Sequence, residues 1–435
     1  MDRRRPVGRR RFLQAAAALA LGSGASACGT GGQAEGPLKF WNLFTGGDGA
    51  RMMDLVTGFQ RARPDIGVRA TTLAWGTPYY TKLAMAAAGG RAPDVAVLHL
   101  SRLAGYAPTG LLDPFPEDLL AELGLTEREF PASAWQRARH DGAVYALPLD
   151  THPLVLFHNT ELCGRAGLLG PDGRLLPIRG EQGFLDACRR VKAAGAQQGL
   201  LMAVSADINP WRLFWTLYRQ QGGQLFDPSG TRLVLDEPKA LRALRFLRVL
   251  TVESGVSRGD VNNNAAVALF GNGQGGFFWN GEWELPTFVE QGLPFDVTPF
   301  PAIYDTAAVH GDSHALVLPH RPGRDPARTR AAVEFVRYLL RHSLTWAEGG
   351  HIPAYQEVAR SEGYRELGLA ARYASAAADL ELDPPVWFGG AASDLQNKAG
   401  AVFSQVCAGG LGPEAAVAEF AAAMRGLLAT PKPQA

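Results

Sequence analysis

The sequence predicts an α/β protein of two doubly wound lobes joined by crossing strands, and three observations carry that prediction. Leu38 to Phe59 reads as strand, tight turn, helix. The same alternation continues to Leu98, which is the signature of a parallel, doubly wound sheet. Val144 to Asn159 then sets two apolar runs around Pro148 and Pro153, a poor pattern for one uninterrupted central strand and a good one for a strand that leaves one lobe and enters another. Without its leader the chain keeps about 400 residues, a length that implies two or more domains or lobes.

The leader is basic and then apolar. Arg9-Arg10-Arg11-Phe12-Leu13-Gln14 precedes Ala15–Leu21, so residues 1–27 read as an export signal whose paired arginines resemble the twin-arginine class. Ala25-Ser26-Ala27 before Cys28 fits an ordinary cleavage site and also resembles a lipoprotein box with alanine in place of leucine. The glycine-rich residues 28–36 suit a tether, and lipidation of Cys28 is the favoured reading. The expected location is the outer face of the cytoplasmic membrane, or the periplasm.

In the first unit, Leu38–Leu43 is a short apolar strand and Thr45-Gly46-Gly47-Asp48-Gly49 a glycine-rich turn. Asp48 is placed to cap a helix whose Met52, Leu55, Val56 and Phe59 form one apolar face. Ligands of open α/β sheets sit at the carboxyl ends of strands, so the Trp41–Asp48 turn is the first place to look for one. Ile66–Leu73 reads as a strand, Gly76–Ala88 as a helix ended by Gly89-Gly90, and Asp94–Leu98 as a strand buried on both faces. Helices are expected at Glu181–Ala194, Trp211–Gln221, Glu237–Glu253, Ala265–Phe270 and Arg328–Arg341. Gly276–Glu284 reads as a strand running into a turn with two tryptophans, Phe295–Pro301 as a further extended segment and His314–Leu318 as a strand.

The hydrophobic fraction of 46% supplies a core, and a net charge of +1 argues against a nucleic-acid partner. Cys163, Cys188 and Cys407 allow at most one internal disulfide. No CxxC and no metal-spaced Cys/His cluster exists, so neither a metal nor a cofactor is expected.

The ordered motifs LKFW with GGDG, PDVAVLHLSRL with GLLDPF, YALPLDTHPLVLFHNTELCGRAGL, GGFFWNGEWE, GDSHALVLP and AVEFVRYLLRHSLTWAEGGHIPAY resemble the family 1 extracellular solute-binding proteins of ABC transporters, which carry sugars. The resemblance covers nearly the whole mature chain. It implies the type II periplasmic-binding-protein fold, with residues 37–149 and 298–345 as one lobe and 150–297 and 346–435 as the other. It also implies a carbohydrate held in the cleft, hinge closure near Pro148–Pro153 and Phe295–Pro301, docking onto a membrane permease, and a monomer. Gly281-Glu282-Trp283 departs from the family's frequent Gly-Pro-Trp, and Gln182-Gly183-Phe184 from its usual helix start.

A sugar offers apolar C–H faces and a ring of hydroxyls, so its site needs flat aromatics and planar polar groups. The family positions make Trp283 and Trp387 stacking platforms, with Trp75 from the other lobe and Trp41 as a further aromatic. Hydroxyl partners are Asn42, Asp48, Asp150, His152, Asn280, Glu282, Asp312 and His314. A secreted glycoside hydrolase using Glu282 and Glu284 is the competing class. Strand positions i and i+2 approach a substrate from one side, whereas such catalysis needs carboxylates on opposite sides. A polyol phosphate or a polyamine in the same fold remains an alternative ligand.

Overall fold

The computed structural model describes residues 36–433, of which Pro37 onward forms one compact unit. The leader and Cys28 lie outside the described residues.

The chain first lays down β1 (Leu38–Asn42), β2 (Val68–Thr72), β3 (Val95–His99), β4 (Leu112–Asp113) and β5 (Ala146–Pro148). It crosses to a second sheet as β6 (Asp150–Asn159), followed by β7 (Gln198–Met202), β8 (Gly275–Gly281), β9 (Phe295–Pro299) and β10 (Val309–Asp312). It returns as β11 (His314–Pro319), then adds β12 (Ile352–Pro353) and β13 (Leu380–Glu381) to the second sheet.

The first sheet runs β2-β1-β3-β11-β4, with β5 also on β11. Its β1–β2 and β1–β3 pairs are parallel, while the returning β11 is antiparallel to β3. The second runs β13-β10-β6-β8-β7, with β9 and β12 also on β6. The alternation of β6 explains why its whole length is buried: Leu154 and Leu156 face one apolar cluster, Val155 and Phe157 the other. Helices therefore cover both faces, as the continuous apolar text requires.

In the first lobe the expected face of the helix Gly46–Ala62 is buried through Met52, Leu55, Val56 and Phe59. Phe59 and Phe40 both meet Phe335 of the helix Pro326–Arg341, with ring centroids 5.0 and 5.2 Å apart. Asp94, fully buried before β3, accepts from Lys39 N at 2.7 Å and from Arg328 Nε and Nη2, each at 2.6 Å, which ties β1, β3 and that helix together.

Several details differ from the sequence reading. Pro153 lies inside the ten-residue β6, opposite Gly311 of β10, and the break falls at Leu149 instead. Residues 295–299 and 309–312 both pair with β6, so the second passage between lobes lies at Asp312-Ser313-His314 rather than near 298. A third runs through Gly349–Pro353, after Trp346 has packed into the first lobe's core. Asp48 does not cap its helix: Thr45 holds the cap position, and Asp48 is the helix's third residue. Cys163, Cys188 and Cys407 are free and buried. No helix among the described residues is long and apolar enough to cross a membrane.

Candidate functional site

A cavity of about 890 Å³ opens between the two lobes above the crossing strands. The first lobe contributes the Leu43–Asp48 turn, Trp75, His99 and His314. The second contributes Asp207–Asn209, Arg212, Asn263, Asn280, Trp283 and Glu284.

Trp283 sits at the end of β8, where the chain turns out of the sheet. A Cβ on Gly281 would lie 2.0 Å from Cζ3 of its ring, so only glycine lets the indole fold back against the strand. The Arg212 guanidinium lies 5.3 Å from the ring centroid, within cation–π range. Burial lowers the Arg212 pKa against the opposing pull of Asp207. Trp75, from the strand-to-helix junction of the first lobe, is 43% exposed and so keeps a free indole face. Asn280 donates to Asn263 Oδ1 at 3.0 Å, which fixes two amides side by side.

The floor is built on Asp150. Its Oδ1 accepts from His152 Nδ1 at 3.0 Å and His314 N at 2.8 Å, and its Oδ2 from His314 Nδ1 and Trp346 Nε1, both at 2.7 Å. A carboxylate only accepts, so both rings carry their proton on Nδ1. Burial disfavours charge on Asp150, but His314 and His152 outweigh it and hold the pKa well below 3.8. Burial and the nearby His314 pull His152 down to about 3. His351 stacks on Trp346 at 4.3 Å and lies 3.1 Å from Asp48 and 2.9 Å from Glu282. Burial opposes a charge there too, yet Asp48 and Glu282 raise its pKa well above 6.5. Burial pushes Glu282 and Glu284 up to about 7.

Of the residues expected from the sequence, Asp48, Trp75, His152, Asn280, Trp283 and His314 line the cavity. Asp150, Glu282 and Asp312 are buried beneath or beside it. Asp150 orients the histidines, Glu282 faces His351, and Asp312 accepts from Ser101 and Ser313. Three do not reach it. Trp41 lies in β1 under Lys82, 5.5 Å from its ring, and Asn42 accepts from Phe44 N and Thr72 Oγ1. Trp387 lines a separate cavity of about 500 Å³ with Leu100, Leu103 and Arg137. The sequence reading missed His99, Arg212, Asn263 and His351. His351, in Gly-Gly-His-Ile-Pro, shares with His152 the mark of a polar residue set among glycine or proline at a crossing.

The model of the bacterial extracellular solute-binding proteins matches residues 45–343. Over 222 residues the chain is 24% identical to the maltodextrin-binding protein MdxE of Bacillus subtilis; the match covers 49% of each, so the chain spans about half the length of that curated relative. Among solved structures, the GacH receptor of Streptomyces glaucescens superposes with a TM-score of 0.76 at 22% identity, over 91% of this chain and 99% of that one. Maltose-bound MalE3 of T. maritima gives 0.78 at 19%, over 90% and 99%. A substrate-binding protein of Listeria monocytogenes in complex with cycloalternan gives 0.74 at 20%, over 91% and 99%. Similarity at these identities concerns the fold.

Proposed function

The chain belongs to the bacterial extracellular solute-binding protein family, and from that premise we propose that it captures a carbohydrate between its lobes and presents it to the transmembrane subunits of an ABC importer. The observation that carries this reading is the pair of indoles, Trp75 from one lobe and Trp283 from the other, on the walls of one cavity with Asn209, Asn263, Asn280 and Arg212. Indole faces suit the C–H faces of sugar rings, and planar amides and guanidinium suit their hydroxyls. A volume of about 890 Å³ stands in the upper part of the range of about 300–1,000 Å³ for ligand pockets, which supports an oligosaccharide.

A ligand that touches both lobes favours the closed arrangement by its difference in affinity for the two, and that difference drives closure. No catalytic step is proposed. Of the two neighbouring carboxyls only Glu284 lines the cavity, and Glu282 is fully buried against His351. The relatives above are named as binding proteins and a receptor. As a member of an extracellular family the protein is exported; we assign the leader to the twin-arginine route, a lipid anchor to Cys28, and a monomeric state.

A thermal-shift screen against mono- and oligosaccharides, sugar phosphates and polyamines, with product analysis of each hit, tests the reading. A saturable rise with an intact neutral oligosaccharide is the expected result. Shifts with phosphates or amines alone replace the ligand class, and cleavage of the hit revives the hydrolase.

A further inference from the structure

Each passage of the chain between the lobes brings an imidazole to one carboxylate. Asp150 and His152 lie at the start of β6, His314 opens β11, and His351 precedes β12. The three Nδ1 atoms lie 3.0, 2.7 and 3.5 Å from oxygens of Asp150. All four residues are buried, and one donor atom from each lies within 4.8 Å of every other. The rings of His152 and His314 stack with centroids 4.2 Å apart, so their nitrogens sit side by side. The carboxylate is fixed from behind by His314 N and Trp346 Nε1, and the His351 ring by the indole of Trp346. Outer contacts of this kind orient metal ligands.

His351 supplies an independent sign. It is fully buried, and both ring nitrogens lie within 3.1 Å of a carboxylate, yet neither makes a hydrogen bond of acceptable angle among the described residues. Buried polar groups left in that condition call for an explanation, and a bound ion is one of the standard ones.

The geometry points to a binding site for one divalent transition-metal ion, held by Nδ1 of His152, His314 and His351 and by the carboxylate of Asp150. Tetrahedral zinc binds such ligands at about 2.0–2.2 Å, which sets the ligand atoms roughly 3.3–3.5 Å apart. Modest ring rotations bring the four donors to that spacing. Three imidazoles and one carboxylate select zinc, cobalt, nickel or copper, because calcium and magnesium take oxygen donors. On binding, the proton of the His152 and His314 rings moves from Nδ1 to Nε2, while His351, held protonated between Asp48 and Glu282, releases its Nδ1 proton to solvent and keeps Nε2–H toward Asp48. An ion held by all three passages ties the crossings together, whichever solute the cavity takes.

The test uses the full chain without a histidine tag, stripped with a chelator and titrated near neutral pH with cobalt(II) and zinc, with calcium and magnesium as controls. We expect one cobalt per chain with the intense visible absorption of a tetrahedral site, displacement by zinc, and no competition from the controls. His152→Gln and His351→Gln each weaken zinc by about a hundredfold or more, with far-ultraviolet circular dichroism unchanged. Where a variant fails to fold, the cobalt spectrum of the unaltered protein decides. Absence of saturable one-to-one binding overturns the proposal, as does an affinity untouched by both folded variants. Both readouts are taken without carbohydrate, so failure of the metal site and failure of the carbohydrate screen are distinguishable although His152, His314 and His351 line the same cavity.

Discussion

Trp283 presents an indole to the cavity with Arg212 against its ring, and it is only partly buried, at the margin of the second lobe's core. Trp283→Ala is expected to weaken the sugar by roughly 10- to 100-fold, about 1.4–2.8 kcal/mol, with the melting temperature of the free protein little changed; titration calorimetry measures it. Trp387→Ala, which alters the other cavity, leaves that affinity unchanged. Glu284 carries a pH dependence. Burial raises its pKa from 4.5 to about 7, so the folded state binds the proton more tightly than the unfolded chain. Stability from this group is present below pH 4.5 and is lost as pH rises toward 7. Glu284→Gln should therefore leave the melting temperature near that of the parent at acid pH and raise it above pH 7, by on the order of 2 kcal/mol of stability. Which residues meet at the site was only partly legible. Turn and junction positions such as Asp48, Trp75 and Trp283 announce themselves by glycine and aromatic context. Trp41 and Trp387 bear the same aromatic mark, but a single chain does not say which surface faces the other lobe.

At the level of elements, apolar periodicity was a sound guide. It located the helices Gly46–Ala62, Gly180–Ala193 and Pro326–Arg341 and the strands β1, β3 and β11 to within a few residues. It did not reveal β7 or β10, whose text Gln198–Met202 and Val309–Asp312 is short and partly polar. Nor did it reveal the links between elements, which are made by charge. Asp94 joins β1, β3 and the helix Pro326–Arg341 through Lys39 N and Arg328. Burial raises its pKa, but Arg328 outweighs this and the pKa falls below 3.8, so its contribution persists at neutral pH and fades as pH falls through that lowered value. Asp94→Ala leaves a buried guanidinium without its carboxylate and is expected to cost about 3–5 kcal/mol, read from urea unfolding.

For the whole molecule, the contacts between the lobes away from the crossings include a small polar set. Ser101 Oγ donates to Asp312 and accepts from Ala391 N at 3.1 Å, while Thr77 Oγ1 donates to Ala392 O at 3.3 Å. Ser101 follows β3 in the first lobe, and Ala391 and Ala392 lie just before the helix Asp394–Cys407 of the second and pack against the first lobe's core. Ser101→Ala is expected to favour the open arrangement. The solute's apparent affinity then falls about 3- to 10-fold, the worth of roughly one hydrogen bond. Small-angle scattering should show a larger radius of gyration for the free variant than for the parent, and equal values once both are saturated. The two-lobe architecture was legible from length, alternation and the prolines at the first crossing. The later passages were not, because residues 295–312 look like strands of either lobe until their pairing with β6 is seen.

That pairing has a further result for how the chain is made. β11 lies between β3 and β4 in the middle of the first sheet, although it is encoded more than two hundred residues after β3. A chain emerging from the ribosome holds β1, β2 and β3 early, but β3 keeps a bare edge until residue 319 has been synthesised. Pairing so distant in sequence is slow, and an open edge is where chains join one another. A product truncated before residue 314 should therefore aggregate rather than yield a folded first lobe, and the order of synthesis completes the first sheet at β11 before β12 and β13 finish the second.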